Sequence, residues 1–544
     1  MKSFEKCLSN LIKMKIQKFL WFGLLLTSFT APESKPHGKL IVLIAVDGLR
    51  GDLLEKYKPA FTQGFKRMFD EGFDFKNTWD DHAITVSHAG HVTLATGNYP
   101  ATDGIVDAAF YEKQGDSLVF TDAFADSAYS IAGSPQIKSI SEKKVLTPGL
   151  AEWIKRKNPS AKVLCVGTGE ISSALYCFHQ GEDVFWYNLE LGKYVTSTYF
   201  KTTVPGWVTD FNKNELPGFF KMSKEWDNIV PEKYLDLANK DDADFENGGR
   251  KHVFPYVASQ KIQQENSYNY YFRFPPFCDN ATLALAKQGI ESLHMGQGST
   301  TDYLSIVLSQ VDETNHSFGP SSLETFNVLM QMDIALGDFY SYLDQKIGRG
   351  NYVVALSADH GFPEIPEQTL QKGKWAKRIS EKEIENVLTQ VKQIVNTSKN
   401  QDHDKVEKNI KTFLLKQDFI ANVYTSSQLN SKATSDDKFL ELYKKSHRSD
   451  RIPRLPFFSL NNFQSEIGKQ GMMVRLKENA MIDLDTDIHG SPYDYDRYVP
   501  LIFMGMGVKK GSSNMKTYTI DVAPSLAKLG SVPILVKTDG KSLF

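Results

Sequence analysis

Cysteine is scarce in this sequence. There are 4 in 544 residues and no Cys-x-x-Cys pair, which excludes a thiolate zinc cluster and a disulfide-stapled scaffold. An excess of charge of one sign is missing too. With 63 basic and 65 acidic residues the net charge is -2, so a generally basic nucleic-acid binder is excluded and no nucleic-acid partner is expected. There is no internal repeat and no low-complexity tract. Long apolar runs are lacking as well. Phe19–Leu26 is well short of the ~20 residues that cross a bilayer, so no stable membrane span is expected. Hydrophobic content of 41% against 24% charged residues excludes wholesale disorder.

The apolar run follows the basic stretch Met14-Lys15-Ile16-Gln17-Lys18 and leads into Thr27-Ser28-Phe29-Thr30-Ala31. That order reads as a secretory signal peptide over residues 1–31, cleaved near Ala31, with Met14 as a second candidate start. The expected location is periplasmic or secreted. Beyond the leader, Cys165, Cys177 and Cys278 are an odd number, so at least one is unpaired. Cys165 lies in an apolar run where a free thiol packs well, and pairing with Cys177 is the alternative.

Short, continuous apolar runs read as buried parallel strands: Leu40–Val46, Lys162–Val166, Tyr303–Val311, Tyr352–Ser357 and Val499–Met504. Helical spacing between them is clearest over Ser321–Ile347, with shorter candidates at Leu150–Arg156 and Ala281–His294. Alternation of the two predicts an α/β fold. It is expected to be a three-layer α/β/α sandwich around a mostly parallel, doubly wound sheet. Two segments break the rhythm and read as cap insertions, at about 185–276 and 364–488. The first is rich in Trp, Tyr and Phe. Its Trp186, Tyr187, Tyr194, Tyr199 and Phe200 are candidates to face substrate or, as aromatics usually do, to fill a core.

Ligands of an open parallel sheet bind at the carboxyl ends of its strands. Leu40–Val46 ends in Asp47. Tyr303–Val311 ends in Asp312, with His316 four residues on. Tyr352–Ser357 leads to Asp359-His360, and His489 precedes the last strand. One such Asp is an ordinary turn former or cap. Recurrence at three strand ends points to metal. Oxygen and nitrogen donors without thiolates suit Zn²⁺ or another first-row divalent ion, and six ligands suit two ions. Ser87 opens the stretch Ser87-His88-Ala89-Gly90-His91, which reads as a turn entering a short helix stopped by Gly97. Ser87 is there as a nucleophile at a helix start or simply as its N-cap. Thr85, Thr93 and Thr96 are weaker rivals.

This combination resembles the alkaline phosphatase superfamily. The motifs are Val-Asp-Gly, Ser-x-x-Gly-His, Asp-x-x-x-His, Asp-His-Gly and a late His-Gly. They are most similar to its branch of type I phosphodiesterases, nucleotide pyrophosphatases and related secreted bacterial phosphatases. The resemblance runs from about Lys39 to the end and makes 38–544 the catalytic domain. It includes Thr96–Ile105 and Thr519–Leu526. It implies one zinc held by Asp312, His316 and His489, and a second held by Asp47, Asp359 and His360, with Ser87 as remaining ligand and nucleophile. A phosphoseryl intermediate and a small phosphate ester substrate follow from the same resemblance. His91 then supports the nucleophile turn.

The sequence also departs from its relatives. The branch commonly has Thr where Ser87 stands, and an Asn where Ala108 falls. A Lys-x-Arg pair of the related monoesterases aligns with Gly169-Glu170-Ile171, so both cations are missing. A monoester dianion depends more on such cations than a diester monoanion does. Phosphodiesterase is therefore the preferred expectation. A phosphomonoesterase of the same superfamily is the alternative, and a non-catalytic metal-containing binding protein is a further one. The sulfatase motif is absent, since Ser87 is followed by neither the Pro nor the Arg that motif requires.

Overall fold

The strand Leu40–Val46 has no polar residue on either face, and it forms the middle of the molecule. The computed structural model describes residues 40–544, except 116, 170–181, 250–252, 259–267, 270, 274–275, 399–401, 454–470 and 483–487. The expected leader, Cys177, Glu170 and Ile171 lie outside the described residues. Nine strands make the central sheet: β1 (Leu40–Val46), β2 (Phe73–Phe75), β3 (Val163–Gly167), β4 (Asp183–Asn188), β5 (Lys193–Val195), β6 (Asp302–Leu308), β7 (Tyr352–Ser357), β8 (Leu501–Gly505) and β9 (Gly511–Ser513). Their spatial order is β5-β4-β3-β6-β1-β7-β8-β2-β9. From β4 to β7 the five neighbours run parallel.

Period-two geometry sends alternate side chains of β1 to opposite faces. Leu40, Val42, Ile44 and Val46 enter one apolar core, while Ile41, Leu43 and Ala45 enter another. The helix Leu323–Leu343 covers the first face with Phe326, Leu329 and Leu336. Helices Leu150–Lys157 and Val522–Leu529 cover the second with Trp153, Ile154 and Leu526. This is the expected three-layer α/β sandwich. The long helix starts where Ser322 accepts the Thr325 N–H, satisfying one of the free donors of its first turn. Each large aliphatic side chain buried in these layers contributes roughly 1.5–3 kcal/mol. Among the described residues no helix is long and apolar enough to cross a membrane.

Three expectations need correction. The run Val499–Met504 becomes β8, which pairs antiparallel with β7 and β2. Composition reports burial on both faces but not strand direction. The aromatic segment from 185 begins inside the sheet, because β4 and β5 extend its edge. Trp186, Tyr187, Tyr194 and Phe200 are accordingly buried in the two cores, and Tyr199 is half-buried against the second. They do not line the site. Finally, Cys165 in β3 is disulfide-bonded instead of a free packed thiol, while Cys278 is free and buried.

Between β7 and β8 the chain builds a smaller body with a core of its own. Helices Glu381–Thr397 and His403–Leu414 supply Ile384, Val391, Ile410 and Leu414 to it. Strand Ile420–Tyr424 pairs antiparallel with Met473–Leu476 and adds Val423 and Val474. Ser380 and Glu383 close the first of these helices with a reciprocal capping box.

One buried carboxyl makes stability depend on pH. Glu142 is 4% exposed, and burial pushes its pKa up to about 8. A folded pKa above the unfolded value stabilises fully at low pH and ceases to as pH rises through about 8. The melting temperature is expected to fall between pH 5 and pH 9 in thermal scans, and Glu142→Gln should shrink that fall. An unchanged slope in the variant would show that Glu142 does not cause it.

Candidate active site

Parallel register sets the site. Val46 of β1 lies opposite Leu308 of β6, and Ala45 opposite Ser357 of β7. The carboxyl ends of the three strands are therefore level, and the residues just after them share one edge. Asp47 follows β1. Asp312 and His316 lie one turn apart on the helix Gln310–Phe318 that follows β6, with His316 Nε2 3.4 Å from Asp312 Oδ2. Asp359 and His360 follow β7, and both are fully buried. Gly48 turns the chain away from β1 at φ +68°, a conformation that costs an L side chain energy. A Cβ there would also sit 2.9 Å from Asp312 Oδ1.

Ser87 is the first residue of the helix Ser87–Thr96, which Gly97 ends in the left-handed conformation. Val86 takes the N-cap position, and no side chain caps the helix. Ser87 is thus not its N-cap. Its Oγ lies 3.2 Å from His360 Nε2. The rival hydroxyls are engaged or buried: Thr85 Oγ1 donates to the Ser491 carbonyl, Thr96 Oγ1 donates to that of Val92, and Thr93 is fully buried. Gly90 lets this helix press against the strand end beside it, since a Cβ would fall 2.1 Å from the Asp359 carbonyl oxygen.

The imidazoles are oriented by backbone carbonyls. His360 Nδ1–H donates to Gly361 O at 2.9 Å, and His489 Nδ1–H to Thr85 O at 2.8 Å. That tautomer leaves a lone pair on each Nε2. His360 Nε2 then stands 3.4 Å from Asp47 Oδ1 and 3.4 Å from Asp359 Oδ2. His489 Nε2 stands 3.6 Å from Asp312 Oδ1. These three carboxylate oxygens are buried and accept no hydrogen bond. Lone pairs facing lone pairs repel unless a cation lies between them. The donor set therefore fits divalent metal. Asp47, Asp359 and His360 offer atoms all within 4.8 Å of one another, and so do Asp312, His360 and His489. The first group matches one expected trio. In the second, His360 joins Asp312 and His489, and the expected His316 lies beside them, 3.4 Å from Asp312 Oδ2 and with its ring 5.3 Å from that of His489.

Burial and charge act in opposite directions on these groups. Burial, reinforced by Asp47 and Asp312, lifts the Asp359 carboxyl well above the ordinary range. Burial also opposes ionisation of Asp47, but His91 and His360 outweigh it and hold its pKa below that range. Burial and the adjacent His360 lower His489 to about 3, so its imidazole is neutral at physiological pH and available as a donor.

Three residues gain roles that sequence reading missed or understated. His91 Nε2 lies 3.4 Å from Asp47 Oδ2 and 3.2 Å from Asp359 Oδ2, so it touches both carboxylates as well as belonging to the helix Ser87–Thr96. Asp279 Oδ1 accepts the Ser309 N–H and the Thr168 hydroxyl, which fixes the start of the helix carrying Asp312. Asp496 Oδ2 accepts the N–H groups of Gly490 and Ser491, while its own carbonyl accepts that of Gly361. It ties the loop after His489 to the turn after His360. Nothing in Tyr493-Asp494-Tyr495-Asp496 separates such a clamp from an ordinary acidic turn. At the positions of the missing relatives' residues, Ala108 donates its N–H to the buried Asp107, and Gly169 is the only described member of its tripeptide.

Gly90→Ala must push the helix Ser87–Thr96 off the Asp359 backbone. It is expected to cost about 1–3 kcal/mol in denaturant unfolding, as overpacking does, and to lower kcat/KM at least tenfold while circular dichroism stays native. Unchanged kinetics would show that the close approach does not position Ser87.

Comparison with known proteins agrees with this geometry. Residues 41–466 match the family model described as type I phosphodiesterase / nucleotide pyrophosphatase. The chain is 27% identical to alkaline phosphatase PafA of Elizabethkingia meningoseptica, over 91% of this chain and 92% of that one. It is 26% identical to alkaline phosphatase PhoV of Synechococcus elongatus, over 92% and 91%. A crystal structure of a fourfold mutant of PafA superimposes with a TM-score of 0.81 at 26% identity, covering 93% of this chain and 98% of the other. The chain thus belongs to the type I phosphodiesterase / nucleotide pyrophosphatase family of the alkaline phosphatase superfamily, and it is a phosphoric ester hydrolase.

Proposed function

We propose that the protein is an exported, two-metal phosphodiesterase that acts through a phosphoseryl intermediate on Ser87. The observation that carries this reading is the pair of donor groups around the Ser87 hydroxyl, with three buried carboxylate oxygens that accept no hydrogen bond. Residues 1–31 support export. Two divalent ions, for which zinc suits the oxygen and nitrogen donors, would neutralise the carboxylates, lower the pKa of the Ser87 hydroxyl and offset charge on the departing oxygen.

In the proposed reaction the Ser87 Oγ–P bond forms in line as the ester P–O bond breaks, and the organic group leaves as its alcohol. Water then cleaves the Oγ–P bond and releases Ser87. The start of the helix Ser87–Thr96 turns its free N–H groups toward the reacting anion. His360 stands beside Oγ, and Asp496 and Asp279 position the surrounding turns. Diester preference is supported by Ala108, which offers no side-chain donor, and by Asp107, a buried acid among the residues that line the same recess as His489. A carboxylate there is less costly beside a monoanion than beside a dianion. A second reading, phosphomonoesterase, is favoured by the names of the relatives, which are alkaline phosphatases.

Steady-state kinetics on p-nitrophenyl phosphate and its methyl diester separate the two readings. The zinc-loaded protein is expected to prefer the diester in kcat/KM by tenfold or more. Monoester preference would establish the second reading, and turnover of neither would leave a binding protein. Ser87→Ala should cost about a thousandfold or more in kcat. Chelation should abolish turnover and lower the melting temperature, with zinc restoring both. A chelated protein that melts unchanged would show that the ligand groups do not hold metal in the folded state.

A further inference from the structure

We infer that the organic group of the ester sits in an apolar recess beside His489, so that the preferred substrates are esters of hydrophobic alcohols. The inference rests on the reading of Ser87 as nucleophile and deepens it to a substrate class. The recess is bordered by Val86, the N-cap residue of the helix that Ser87 opens, and by His489, whose ring stacks on that of His360 at 3.6 Å. It runs outward between Met473, Leu476, Met481 and Tyr493 of the cap and of the segment leading to β8. Ser87 Oγ lies 3.2 Å from His360 Nε2, and the His489 ring that borders the recess stacks on His360, so a group attached to a phosphorus on Ser87 is one imidazole away from the wall.

The chemistry of the wall selects the occupant. Two methionines and a leucine are unbranched at Cβ and adapt to alkyl or aryl shapes. The tyrosines present rings and not hydroxyls, because their polar ends are already engaged. Tyr493 OH donates to Leu476 O at 2.7 Å, and Tyr443 OH donates to Val474 O at 3.3 Å. Asn479, also in the lining, donates its side-chain amide to Trp375 O. The acids in the lining are engaged as well: Glu364 pairs with Arg50, Asp496 Oδ2 accepts the Gly490 and Ser491 N–H groups, and Asp107 Oδ1 accepts the Ala108 N–H. A sugar or polyol therefore finds few free partners for its hydroxyls, at a cost that a hydrocarbon group does not incur. Lys477 is exposed, where a long chain emerging from the recess meets solvent.

The test is a series of ethyl, butyl and hexyl methyl phosphate diesters, whose alcohols leave about equally readily, so that differences report binding of the chain. With zinc-loaded protein kcat/KM is expected to rise roughly fourfold per methylene. Leu476→Gln, at a partly exposed position, should flatten that rise. Turnover of the ethyl member with a flat or falling series overturns the inference and leaves Ser87 chemistry intact. Absence of turnover for every member counts against the parent reading instead. Calorimetry with methyl- and hexylphosphonate then decides the recess without catalysis: tighter binding of the hexyl compound supports it, and equal affinities overturn it.

Discussion

Three aspartates at neighbouring strand ends put more negative charge into one buried volume than the surrounding protein can neutralise. Asp47, Asp312 and Asp359 each leave an oxygen without a hydrogen bond, and His360 and His489 turn lone pairs and not protons toward them. Such an arrangement is tolerable in a low dielectric only when positive charge is supplied from outside the polypeptide. The rest of the centre accommodates that requirement. The carbonyls of Gly361 and Thr85 set the imidazole tautomers, Asp496 joins the two loops that carry them, and Gly48 and Gly90 remove the side chains that would hold the carboxylates apart.

How much of this was legible in the sequence depends on whether the signal was local. β1 and β7 were readable residue for residue, because strands buried on both faces show as unbroken apolar runs. The residues that end them were readable as a set for the same reason, since each aspartate follows its strand at once or within a turn. The direction of β8 was not legible, because an apolar run looks the same in either direction. Nor were β4 and β5 as sheet strands: burial of their Trp and Tyr residues was the expected reading, but in an insertion and not at the edge of the sheet. Asp279 and Asp496 escaped because they act through backbone N–H groups of segments 30 and 6 residues away from them. Pairings of that kind arise only when the sheet has assembled.

Ser87 illustrates a finer limit. Ser87 at a helix start is equally good as cap or as nucleophile on composition alone. The backbone decides, for the cap position belongs to Val86, and Ser87 is turned toward His360. One residue of register along the helix start separates a capping hydroxyl from one that faces the donor groups. His360 shows a similar refinement. It belongs to both donor groups, which shared strand ends allow and which linear spacing could not reveal.

The smaller body between β7 and β8 has an apolar core separate from the two that flank the sheet. This has an evolutionary consequence. Substitutions within that core alter the wall above the reacting phosphorus without touching the strand ends that carry the aspartates. On the proposed reading, the alcohol released changes with that core while the ionic centre stays fixed. For engineering, grafting a foreign cap onto an unmodified frame is a shorter route to new substrates than rebuilding the ligands.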